Sequence, residues 1–115
     1  MELFYELDNT ISTIGKDEYF AGFLNTKSLK AGVIRLREGQ IDTQSMHSMD
    51  EIYYVIEGKG LIAISGKNHP INRGSLVFVP AHTEHRFHGN KGEIIVLYIF
   101  AKDSRICHYS KMRNQ

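Results

Sequence analysis

The chain has one cysteine, Cys107, two prolines and no tryptophan in 115 residues. A single thiol cannot close an internal disulfide, so packing alone has to hold the fold, and a reducing, cytoplasmic setting is expected. No surrounding pattern marks Cys107 as a nucleophile, and an idle or buried thiol is the plainer reading. Long apolar runs are missing as well. The longest, Ile94 to Ala101, falls well short of the roughly 20 residues that span a bilayer as a helix. Nor does Met1-Glu2-Leu3-Phe4-Tyr5-Glu6 have the basic start and apolar stretch of a secretory leader. An excess of charge of one sign is absent, with 14 Lys and Arg against 13 Asp and Glu. That balance argues against nucleic acid or an anionic membrane as a partner, so recognition is expected to be local.

What remains is ordinary for a folded domain: 42% hydrophobic residues, 23% charged, and six Phe with six Tyr to fill a core. One domain over residues 1–115 is expected from this length. Strand signals recur at short intervals, at Tyr19 to Leu24, Leu29 to Arg37, Glu51 to Ile56, Leu61 to Ser65, Leu76 to Val79, His85 to Phe87 and Glu93 to Ala101. Between them lie turn signals such as Glu57-Gly58-Lys59-Gly60, Ser65-Gly66-Lys67-Asn68, Asn72-Arg73-Gly74 and Gly89-Asn90-Lys91-Gly92. The pattern predicts an all-β fold, a sandwich or jelly-roll barrel.

Helix is sparse. A short turn of helix is predicted within Asp8 to Phe20, capped by Asp8 or Asn9. The polar end, residues 102–115, carries Lys102, Arg105, Lys111 and Arg113 and reads as a solvated or loosely docked terminus. Ile52 to Ile56 and Ile94 to Phe100 are apolar on both faces, so something is expected to cover the outside of those strands. A symmetric homodimer is expected to supply that cover, and the second sheet of the same monomer is the alternative.

Two segments carry the chemistry. In the first, His47 and Glu51 flank a three-residue connection; a strand ending at His47 and another starting at Glu51 would set the two side chains opposite each other across a hairpin. In the second, Gly74 to His88, alternation puts His85 and Phe87 on one face and Arg86 and His88 on the other, while Pro80 leaves His82 in the preceding loop.

Both segments resemble the two motifs of the cupin superfamily. Gly39, His47, Glu51 and Gly58 match the glycine, second histidine, glutamate and final glycine of the first motif, and Gly74, Pro80 and His85 match the second. The resemblance covers residues 39–89. Ser45 stands where the first motif has its first histidine, His82 where the second has a glycine, and Gly89 where it has an asparagine, with Asn90 one residue late.

The resemblance implies a cupin double-stranded β-helix, or jelly-roll barrel, with short N-terminal strands. It also implies a divalent transition metal held by His47, Glu51 and His85. Neutral imidazole and carboxylate suit Fe, Mn, Ni, Zn or Cu, and three protein ligands leave open positions for water or a chelating molecule. Ser45, Tyr53, His82 and Phe87 are candidates for the pocket beside the ion. The activity implied is dioxygenation, isomerisation or decarboxylation of a small organic molecule. A non-catalytic module that binds or senses a small ligand, with a depleted metal site, is the alternative, and a purely structural assembly protein would leave the His and Glu cluster unexplained.

Overall fold

The computed structural model describes residues 1–102. One short helix, α1 (Leu7–Ser12), precedes eight strands: β1 (Phe20–Asn25), β2 (Leu29–Leu36), β3 (Glu51–Glu57), β4 (Gly60–Ile64), β5 (Lys67–Ile71), β6 (Leu76–Val79), β7 (His85–His88) and β8 (Ile94–Ala101). They form a five-stranded sheet in the order β1-β2-β8-β3-β6 and a three-stranded sheet in the order β5-β4-β7. Every pairing is antiparallel. The chain is all-β, and its two antiparallel sheets are those expected of a jelly-roll barrel.

Alternation decides what is buried. Along β3, Glu51, Tyr53 and Val55 are buried while Ile52 and Tyr54 are exposed, and in β7 His85 and Phe87 are buried while Arg86 is exposed. The inward residues of both sheets meet in one cluster that includes Leu36, Tyr53, Val55, Ile62, Val79, Phe87 and Val96. At the first motif's closing glycine the backbone dictates the residue: Gly58 has a φ of +90°, and a Cβ there would sit 2.2 Å from the Glu93 carbonyl oxygen.

Three expectations need correction. The helix starts after Glu6, whose side chain makes no cap hydrogen bond, so neither Asp8 nor Asn9 caps it; both lie inside the helix. Strand β5, Lys67-Asn68-His69-Pro70-Ile71, carries no apolar pattern and contains a proline, yet it pairs along its whole length with β4 as the outer strand of its sheet, where Pro70 needs no second ladder. The predicted strand into His47 does not form. Residues 37–50 contain no strand, because several of their polar groups bond elsewhere: the Asp42 carboxylate accepts from the Gln44 and Phe87 amides, and the His47 carbonyl accepts from the His82 amide.

Among the described residues, the outside of the large sheet is covered at one end only. Beneath the N-terminal segment, Ala31 and Val33 of β2 are buried together with Ile14, and Arg37 fastens that segment by donating to the Ile14 and Gly15 carbonyls. At the other end Ile52, Tyr54, Leu76 and Phe78 remain exposed on β3 and β6. The basic tail and Cys107 lie outside the described residues, apart from Lys102, whose ammonium donates to the Asn25 side chain. Among the described residues no helix is long and apolar enough to cross a membrane.

Candidate metal centre

Three elements bring the polar cluster together. Glu51 opens β3 with a side chain only 2% exposed, His85 opens β7 at 1%, and His47 reaches in from the 37–50 loop, about a third exposed. Two contacts latch the loops that carry the histidines. The His82 amide donates to the His47 carbonyl at 2.7 Å, and the Ala81 amide donates to Asp50 Oδ1 at 2.9 Å. Glu51 Oε1 lies 3.5 Å from His47 Nε2 and 3.4 Å from His85 Nε2. One donor atom from each of the three residues falls within 4.8 Å of the others.

The donor set fits a metal ion on two counts. Atoms that share an ion at about 2.0–2.2 Å stand roughly 3–3.6 Å from one another, the separation seen on both sides of Glu51. The second count is protonation. His85 Nδ1 is 2.9 Å from the Thr83 carbonyl, which can only accept, so Nδ1 carries the proton of the neutral ring. Nε2 is then a bare lone pair, buried, without a hydrogen-bond partner and facing a carboxylate oxygen. Two acceptors face to face are unfavourable unless a metal ion or a proton lies between them, and without a metal the raised His85 pKa favours the proton. A metal-ligating histidine characteristically fixes its other nitrogen on a carbonyl in this way.

The same arrangement acts on protonation. Burial opposes a charge on His85, but the Glu51 carboxylate, the Thr83 carbonyl and the charge of Asp42 outweigh it and raise the pKa from the ordinary histidine value. Tyr53 is pushed well above the usual tyrosine value by burial first, and then by Glu51 and Asp42. Its hydroxyl therefore stays protonated. It lies 2.9 Å from Glu51 Oε1 and 2.8 Å from Gln44 Oε1, and the Gln44 amide donates to Asp42 at 2.8 Å. Tyr53 has one proton for two acceptors, so both oxygens compete for it.

Not every expected pocket residue lines the cavity beside the cluster. Ser45 does, with His47 and Glu51. Tyr53 and Phe87 belong instead to the core beneath, packed edge to face at 4.9 Å, because the barrel is filled at that depth. His82 is exposed in the loop before β7 at a φ of +60°, the left-handed conformation that accounts for the glycine of the family motif. The sequence reading missed Asp42, Gln44, Tyr98 and Phe100. Asp42-Thr43-Gln44 has the form of an Asx turn, the one local signal available; the two aromatics are indistinguishable from core residues until the register is known.

Residues 32–101 match the Cupin_2 family, described as a cupin domain, over more than half of the chain. The chain belongs to the cupin family. A relative in Streptomyces coelicolor is 33% identical over 85 residues, covering 74% of this chain and 81% of its own. The cupin fold recurs in an RmlC-like cupin with a double-stranded β-helix from Methanocaldococcus jannaschii, at a TM-score of 0.69 and 15% identity over 77% of this chain and 84% of that one. It recurs also in iron(II) HppE in complex with substrate, at 0.63 and 21% over 70% and 52%. Set against the cupin motifs, the cluster keeps the second histidine, the glutamate and the final histidine, and Ser45 replaces the first.

Proposed function

We propose that this cupin binds one divalent transition metal through His47, Glu51 and His85 and acts on a small organic molecule held in the adjoining cavity. The observation that carries the reading is the convergence of His47 Nε2 and the buried His85 Nε2 on Glu51 Oε1 at 3.5 and 3.4 Å, with one donor atom of each residue within 4.8 Å of the others. Fe, Mn, Ni, Zn or Cu all suit two imidazoles and a carboxylate. Bound there, the ion would supply a Lewis acid for an anionic or enolic oxygen, in oxygenation, isomerisation or decarboxylation.

The chain's own residues do the rest. Thr83 fixes the His85 tautomer, and Tyr53 holds the Glu51 carboxylate in place. Phe100 stacks on His47 at 5.0 Å and limits its rotation. Ser45, in place of an imidazole, leaves a ligand position open to small molecules. The same serine favours a second reading, a non-catalytic cupin that binds or senses its ligand with weak or no metal. A cytoplasmic, homodimeric protein fits both readings, on the single cysteine and the exposed apolar face of β3 and β6.

Oxygen uptake with diketones, catechols and thiols, measured on metal-loaded protein, separates the two. Metal-dependent turnover that disappears in Glu51→Gln is the expected result; saturable binding without turnover across the panel would leave the binding reading.

A further inference from the structure

Lys30 is left unused by a metal centre, although it faces the same cavity. Register sets Lys30 opposite Phe100, and Phe100 opposite Glu51, in one row across the large sheet. Neighbouring strands stand about 4.8 Å apart, so the Lys30 and Glu51 backbones are roughly 10 Å apart with the Phe100 ring between them. Lys30 Nζ lies 5.8 Å from the centre of that ring. Lys30 is half-buried, and among the described residues its ammonium has no carboxylate partner. Attraction to the ring offsets only part of the lost hydration.

A second polar group opens onto the cavity nearby. The Tyr98 hydroxyl lies over Gly32, the next inward-facing residue along β2 from Lys30, where a Cβ would come within 2.3 Å of it. Among the described residues it makes no hydrogen bond to the protein, and Tyr98 lines the cavity together with Lys30, Phe100, Tyr19 and Phe20. The cavity measures about 250 Å³, just below the roughly 300–1,000 Å³ usual for ligand pockets. It suits a single-ring compound. One ammonium and one hydroxyl, with no guanidinium fork, match a carboxylate better than a phosphate dianion.

We infer that the cavity is a site for a small planar carboxylate, its body among the Tyr19, Phe20 and Phe100 side chains and its carboxylate on Lys30 and the Tyr98 hydroxyl. The inference rests on the proposed metal centre only for which end of the ligand faces His47, Glu51 and His85; the anion site stands on Lys30 and Tyr98 alone.

Calorimetric titration of the whole protein, metal-free and zinc-loaded, with benzoate, benzamide and phenyl phosphate tests it. Benzoate should bind both forms at least about tenfold more tightly than benzamide, and Lys30→Met should remove that preference while changing benzamide by less than roughly twofold. Zinc stoichiometry should be the same in Lys30→Met as in the wild type. Equal binding of benzoate and benzamide, a preference that survives Lys30→Met, or no saturable benzoate binding at millimolar concentration would overturn the site; tighter phenyl phosphate would overturn its carboxylate assignment. Zinc refused while benzoate still selects through Lys30 sinks the metal centre alone, and zinc bound while benzoate is ignored sinks the anion site alone.

Discussion

At the scale of single residues, the cluster depends on who holds the protons. His85 is fixed through Nδ1 on Thr83 so that Nε2 faces inward, taking a metal ion or, without one, a proton, and Glu51 is oriented by Tyr53. Tyr53→Phe removes the hydroxyl shared by Glu51 and Gln44, so chemical denaturation should show a loss of about 1–3 kcal/mol, and metal affinity should fall by up to roughly tenfold. The tyrosines also set an alkaline limit. Both Tyr53 and Tyr98 have raised pKa values, by burial first and then by Glu51, so the folded state favours their neutral forms. Their contribution is complete below the unfolded tyrosine value of about 10 and is lost as pH rises beyond it toward the folded values. Urea melts at increasing pH should show this decline, and Tyr98→Phe should make it shallower. Ser45→His restores the family's third imidazole, a fourth ligand, and should tighten zinc binding on the order of tenfold or more by competition with a chelator; unchanged affinity would place residue 45 out of the ion's reach.

At the scale of elements, strands and their turns were legible wherever apolar alternation and glycine coincided. Strands β2, β3, β6, β7 and β8 fall within a residue or so of their predicted limits. Strand β5 was not legible, because an outer strand with one paired edge can be polar and can carry Pro70. The His47 loop was misread as a strand end because the bonds that define it, to His82 and through Asp42 to Phe87, cross between distant segments. His47, Glu51 and His85 could be named from motif spacing, whereas Lys30 and Tyr98 could not: their role depends on register with Phe100 and on the space left by Gly32. His82 holds a left-handed φ that costs an L-residue about 1–2 kcal/mol, partly offset in a glycine by its greater freedom when unfolded. His82→Gly should therefore stabilise the protein by up to about 1 kcal/mol in thermal melts, with zinc stoichiometry unchanged. A loss of stability instead would mean that the imidazole makes contacts that matter.

At the scale of the whole molecule, the two sheets bury one core, but the large sheet keeps an uncovered apolar face where Ile52 pairs with Phe78 and Ile99, and Tyr54 pairs with Leu76. All five side chains are more than a third exposed, a contiguous patch of the kind that marks association surfaces. Light scattering at micromolar concentration should return twice the chain mass, and Tyr54→Lys with Phe78→Lys should reduce it to one; a wild-type monomer would contradict the homodimer. Lying on the opposite side of the sheet from the polar cluster, this face can be altered without touching the ligands.

The proposed function depends first on whether His47, Glu51 and His85 hold a metal ion. Elemental analysis of untagged protein after loading and desalting is the direct measurement, repeated for His47→Ala and His85→Ala. The structure predicts one transition metal per wild-type chain and a loss of it in both variants; folded wild-type protein that cannot be loaded with Fe, Mn, Ni, Zn or Cu would contradict it.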